Sequence, residues 1–229
     1  MLSMVRVEHI ISFLFVIGIA QIIYIAVMLG RKKFPPTLIW KAIPPLLSIW
    51  VLFWPVYEQT LWIWFPIAIL SILACLSPHL KPLFWRHIYQ IWAGDAFETQ
   101  SYPYPFISFI ATLAISAAFF IHIPEFGFGL ALTACLSFSL ASLLDRIGYL
   151  QLGFPLHPRQ TLLGHLSLII SSALLCSWSI HLYHGVNWQQ LLIATLIAGM
   201  AASVLRAVLP RYWNLPFATL AMGWILWML

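Results

Sequence analysis

Long apolar runs, broken by short polar or proline-bearing stretches, set the pattern of this chain. The hydrocarbon core of a bilayer takes about 20 apolar residues per helix. Eight runs approach that length, at 10–29, 40–57, 60–77, 105–122, 126–144, 161–183, 190–209 and 215–229. The second and the last are short. Pro44 and Pro45 fall inside the second, and an internal proline removes a helix donor and clashes with the preceding turn, so a kink or break is expected there. The last run is expected to tilt little or to end in the interface. Between the third and fourth runs lies the longest linker, 78–104. It mixes Trp, Phe and Tyr with Lys81, Arg86 and His87, a composition that suits a helix lying in the headgroup layer. Shorter loops are expected at 145–160 and 210–214.

The basic residues test this segmentation. With the N-terminus outside, Arg31, Lys32, Lys33, Lys41, Lys81, Arg86, Arg146, Arg159, Arg206 and Arg211 all reach one side, and Arg6 alone reaches the other. That side is cytosolic by the positive-inside rule. Merging or dropping one span would scramble the partition. An even number of spans then returns the C-terminus outside. The expected fold is an all-α polytopic integral membrane protein of about eight transmembrane helices with both termini outside. It forms a single membrane domain over 1–229, with N-terminal spans and the interfacial segment over 1–104 and a second helical half over 105–229.

Composition agrees and narrows the function classes. Of the 229 residues 62% are hydrophobic and 7% are charged, against about 25% charged in soluble domains. The net charge of +5 reads as a topology signal, because nucleic-acid binding needs clustered Lys and Arg on a soluble face. No nucleic acid is expected as a partner. Cys75, Cys135 and Cys176 each lie in an apolar stretch and read as small apolar residues. Arg31-Lys32-Lys33 after the first run, with no small-x-small pattern before it, marks a retained span rather than a cleaved leader. Small residues recur four apart at Ala198 and Ala202, Gly199 and Ser203, and Ser137 and Ala141, a spacing that lets helix backbones approach closely.

Three landmarks over residues 100–229 resemble, in order and spacing, a family of membrane enzymes. Ser137-Phe138-Ser139-Leu140-Ala141 ends the fifth run and is followed by Arg146-Ile147-Gly148. Gln160-Thr161-Leu162-Leu163-Gly164-His165 opens the sixth. Arg206, Pro210 and Trp213-Asn214-Leu215-Pro216 precede the last, and Tyr102-Pro103-Tyr104-Pro105 enters the fourth. The order resembles the CTP-dependent polyprenol and lipid kinases, such as dolichol and phytol kinase. That resemblance implies a lipid or isoprenoid alcohol bound between the last four helices, with CTP and Mg²⁺ as co-substrate and cofactor if the protein is catalytic. It also implies site-region roles for Gln160, Thr161, Gly164 and Asn214.

The departures from the family pattern bear on activity. Where the family has Asp, Lys, Glu, a later Glu and an Asp before Asn, this chain has Phe138, Gln160, Leu163, Arg206 and Trp213. Those groups hold Mg²⁺ and phosphates, and phosphoryl transfer is largely positioning and charge stabilisation. Asp145 stands as the candidate catalytic carboxylate if the loop is shifted by a turn or two. Arg146, Arg159, Arg206 and Arg211 stand as phosphate-binding forks. The plainer alternative makes Asp145–Arg146 a local ion pair and the arginines topology anchors. Arg206 sits about one turn from the interface, so it either snorkels or serves a site, and it has Asp145 as a candidate partner.

Two other chemistries are weighed. His122, His181 and His184 end the fourth and sixth runs on the outer side, and two histidines on facing helices can hold haem or a metal. His165 lies a membrane's width away from them. Ser137 and Ser139 lack a neighbouring His and Asp and read as packing serines. Two functional expectations follow: a divergent lipid-kinase-like protein that binds lipid or isoprenoid, and a non-catalytic subunit or scaffold packing against partner membrane proteins or pigments. Either suits a bacterial inner or a thylakoid-type membrane.

Overall fold

The computed structural model describes residues 2–30, 33, 36–57, 59–76, 104–147, 150–152, 154, 157 and 159–228. The linker expected at 78–104 falls outside the described residues except for Tyr104, as do Arg31, Lys32 and Gly148. The chain divides into two compact units, Met1–Pro103 and Tyr104–Leu229. The regular elements among the described residues are all helices, with no strand; two isolated bridges, Gln151 with Thr161 and Phe154 with His157, tie one loop to itself.

The first unit contains α1 (Leu2–Gly30), α2 (Pro36–Leu52), a 3-10 turn at Trp54–Val56 and α3 (Leu61–Leu76). Pro44 and Pro45 lie inside α2 without ending it. Two prolines delete only two donors, and an apolar environment offers the rest of the ladder no other partners. The expected run 40–57 instead ends in the 3-10 turn, where Pro55 is pre-set for the first residues. Trp50 and Trp54 meet edge to face at 5.3 Å and are buried with Val51, Ile63 and Ile67. Trp62 Nε1 donates to His9 Nδ1 at 3.1 Å.

The second unit contains α4 (Tyr104–His122), α5 (Pro124–Ile147), α6 (Leu162–His184), α7 (Trp188–Val208) and α8 (Asn214–Met228). The first four of these are long and apolar enough to cross a membrane; α8, at 15 residues, is shorter. Local chemistry marks the ends. Pro124 follows a non-helical Ile123 to start α5. Gly185 closes α6 with φ 65°, a left-handed conformation that glycine adopts without a Cβ clash. Asn187 Oδ1 then accepts the Gln189 N–H to start α7.

The core of this unit gathers Leu130, Ala141, Leu168, Cys176, Ala198, Ala202, Ala218 and Met222. The small residues expected as packing faces are here: Ala198 and Ala202 are fully buried, and a Cβ on Gly199 would lie 2.7 Å from Ser172 Oγ. Several core hydroxyls are satisfied within their own helices. Thr112, Ser116, Thr195 and Thr219 each donate to the carbonyl four residues back, the arrangement that lets a polar side chain sit among apolar ones. Outward faces carry Ile170, Leu174, Ile193, Val204 and Trp224, all exposed. So extensive an apolar exterior belongs against hydrocarbon or a partner rather than water.

Candidate functional site: a closed polar cluster at one end of the second unit

Thr161 is the extended residue before α6, and its Oγ1 accepts the Gly164 N–H at 3.0 Å. That is an N-cap, which satisfies one of the donors orphaned at a helix start. The same threonine donates twice to Asp145, on the 3-10 turn ending α5. Its N–H reaches Asp145 Oδ1 at 2.9 Å, and its Oγ1 lies 3.1 Å from the same oxygen. Gly164 makes the approach possible: a Cβ there would fall 2.2 Å from Asp145 Oδ1 and 3.1 Å from the Ala141 carbonyl.

Arg206, near the end of α7, supplies the other half. Its Nη2 donates to Asp145 Oδ2, forming an ion pair whose side chains are 7% and 15% exposed. The carboxylate therefore has both oxygens occupied by donors from its own chain. Arg206 Nη1 is buried and has no hydrogen-bond partner.

A second chain of hydrogen bonds runs beside the first. Gln160 Nε2 donates to the Arg206 carbonyl at 3.0 Å, which leaves Gln160 Oε1 to accept from His165 Nε2, also at 3.0 Å. His165 Nδ1 lies 2.6 Å from Ser203 Oγ, and with Nε2 as the donor, Nδ1 accepts the hydroxyl proton. The Phe154 ring meets His165 edge to face at 5.5 Å. His157 Nε2 lies 2.6 Å from the Leu209 carbonyl and donates to it, tying the α5–α6 loop to the end of α7. Gln160, Thr161, His165, Ser203 and Arg206 are all buried. Buried polar groups of this kind are tolerable where they find partners, as all of these do except at Arg206 Nη1.

The residues expected at this site thus separate. Asp145, Gln160, Thr161, Gly164 and Arg206 come together. Arg146 and Arg159 are exposed, on the turn after α5 and the loop before α6, and Arg211 is exposed before α8. Asn214 opens α8, its N–H bonded to the Pro210 carbonyl at 3.0 Å. The plainer expectation of an Asp145–Arg146 pair is replaced by Asp145–Arg206, because consecutive residues on a helical turn do not face each other. His157, His165 and Ser203 complete the cluster, and no linear spacing announces them: Ser203 and His165 are 38 positions apart. Ser137 and Ser139 are buried in α5. The family's Mg²⁺–CTP does not fit these residues. The one carboxylate at this end is neutralised by an arginine, and Mg²⁺ needs open carboxylate oxygens.

The opposite end is built differently. His184 Nε2 lies 2.8 Å from Glu125 Oε1, with the histidine 52% exposed. His181 Nδ1 donates to the Val186 carbonyl at 2.7 Å. Of the three histidines weighed as ligands, His122, His181 and His184, the latter two each have one ring nitrogen engaged within the chain. Near them Leu174, Leu175, Ser177, Trp178, His181 and Trp188 line a groove of about 380 Å³.

No protein-family model, curated protein or solved structure matches the chain.

Proposed function

We propose that the chain is a multi-pass membrane protein of eight spans with both termini outside. Its second half keeps the helix order of the CTP-dependent polyprenol and lipid kinases and binds a lipid or isoprenoid without transferring phosphate. One observation carries this reading: both oxygens of Asp145 are taken up by Thr161 and Arg206. A carboxylate so engaged, with two bonds on Oδ1 and the arginine on Oδ2, has most of its acceptor capacity spent, and a metal beside it would face the arginine's charge. The groove at the far end of α6, lined by Leu174, Trp178 and Trp188, offers an apolar berth for a hydrocarbon chain.

The test is transfer of label from [γ-³²P]CTP to a panel of prenols and diacylglycerol, using purified protein with Mg²⁺ and Asp145→Asn in parallel. No product above the protein-free control is expected, with lipid found in the organic extract of the purified protein. Transfer that disappears in Asp145→Asn would overturn the reading. A second reading is a non-catalytic subunit docked on other membrane proteins, favoured by the exposed Trp213, Trp224 and Trp227. A stoichiometric protein partner in mild detergent, with no retained lipid, would select it.

A further inference from the structure

The groove at the far end of α6 has a hydrogen-bonding character that its apolar walls conceal. Leu174, Ser177, Trp178 and His181 line it from α6 and Trp188 from the start of α7, around a space of about 380 Å³. The four α6 residues stand at i, i+3, i+4 and i+7, so they share one helix face. Ser177 is 1% exposed, and its Oγ lies 2.8 Å from Thr195 Oγ1. The Thr195 hydroxyl has a single proton, which goes to the Leu191 carbonyl at 3.0 Å. Ser177 is therefore the donor in the serine–threonine bond, and lone pairs are what it has left to offer.

His181 reaches the same state by another route. Its Nδ1 lies 2.7 Å from the Val186 carbonyl. A carbonyl only accepts, so Nδ1 carries the proton, and in the neutral ring Nε2 is then an acceptor. The groove thus holds two acceptors on side chains one helical turn apart, with Cβ atoms about 5–6 Å from each other. The indoles of Trp178 and Trp188, 43% and 45% exposed, add flat faces and N–H donors. Among the described residues, none with a permanent charge lines the groove.

This inventory selects an occupant. An ionic headgroup finds no counter-charge here. An ester or ketone has acceptors only and leaves Ser177 and His181 unmet. A hydroxyl gives a proton to either acceptor and can take one from an indole. Two hydroxyls on opposite sides of one flat ring match the spacing of the two acceptors, and the ring packs on the indole faces. Below Trp178, Leu174, Ile170 and Leu166 continue at steps of four, all exposed. They form an apolar ridge about 18 Å long, enough to carry a hydrocarbon tail.

We infer that the groove binds an isoprenoid hydroquinone, with one hydroxyl on Ser177 and the other on His181, and selects it over the oxidised quinone. The inference rests on the lipid-binding reading and names the class of lipid.

Full-length protein in phosphatidylcholine nanodiscs is equilibrated without oxygen with one of three ligands. They are a decyl-substituted dimethyl-p-benzoquinol, the matching quinone, and farnesol, which has one hydroxyl and no ring. Bound ligand is counted by native mass spectrometry. Wild type is expected to retain the quinol about tenfold over the quinone, the size of roughly one net hydrogen bond, and to retain it over farnesol. Ser177→Ala removes the buried acceptor while Thr195 keeps its bond to Leu191. The preference then falls to about threefold or less, with a melting temperature near wild type. His181→Phe, at an exposed position, gives an independent loss of similar size.

Equal retention of quinol and quinone overturns the proposal, as does a preference unchanged in both variants. Farnesol held as tightly as the quinol also overturns it and leaves the broader lipid-binding reading in place. Retention of none of the three overturns it too; lipid in the organic extract of the purified protein then decides whether the broader reading survives. Transfer from CTP to farnesol would overturn the non-transferring reading alone, because the groove and Asp145 stand at opposite ends of the unit.

Discussion

The two ends of the second unit each hold one carboxylate paired with one nitrogen-bearing side chain, and they differ in almost everything else. At one end Glu125 meets His184, which is half exposed. At the other Asp145 meets Arg206 under cover, with Thr161 adding two hydrogen bonds. An exposed pair gains little over hydration and is screened by salt. A buried pair is different: removing one partner leaves a desolvated charge, although replacing both with apolar groups is often neutral. The comparison teaches that the same pairing ties three elements together at one end, α5, α6 and α7, and decorates a surface at the other.

The sharpest way to break this contrast is Asp145→Ala, which strands Arg206. A loss of about 3–5 kcal/mol is expected by analogy with other broken buried pairs, seen as a collapse of thermal stability in detergent. The double variant Asp145→Ala/Arg206→Met should recover much of it; no recovery would show that Arg206 is not the partner that matters. Gly164→Ala comes next, at about 1–3 kcal/mol, the range for forcing extra carbon into a filled site, because Asp145 Oδ1 occupies the space. A wild-type melting curve for that variant would sink the close approach.

Thr161→Ala removes the cap of α6 and one bond to Asp145. About 1–2 kcal/mol is expected, with faster amide exchange confined to the first turn of α6. Glu125→Gln is the smallest, under about 1 kcal/mol, and its effect should shrink in high salt. An effect as large as that of Asp145→Ala would erase the distinction between the two ends.

Much of the fold was legible in the linear pattern. The runs at 105–122, 126–144, 161–183 and 190–209 coincide with α4 to α7 to within a few residues, since a helix that exposes its sides to hydrocarbon must be apolar along its whole length. Of the kink or break expected at Pro44–Pro45, the break does not occur: α2 continues past both prolines to Leu52. The site was legible in part. Asp145 and Arg206 stood out as ionisable residues at the edge of apolar runs, and Thr161 and Gly164 by their position at a helix start. His165 and Ser203 did not, because a serine and a histidine 38 positions apart carry no shared periodicity.

By itself the sequence determined where helices run and that basic residues crowd one end of the second half, because hydrophobic length and charge are properties of each segment taken alone. Only the tertiary structure decided that Asp145 pairs with Arg206, 61 positions away, rather than with its neighbour Arg146, and that one guanidinium amine is left over. The reason is geometric. Side-chain pairing depends on the angle at which each residue leaves its helix and on which helix lies opposite, and those follow from how α5, α6 and α7 pack around Gly164, Ala198 and Ala202.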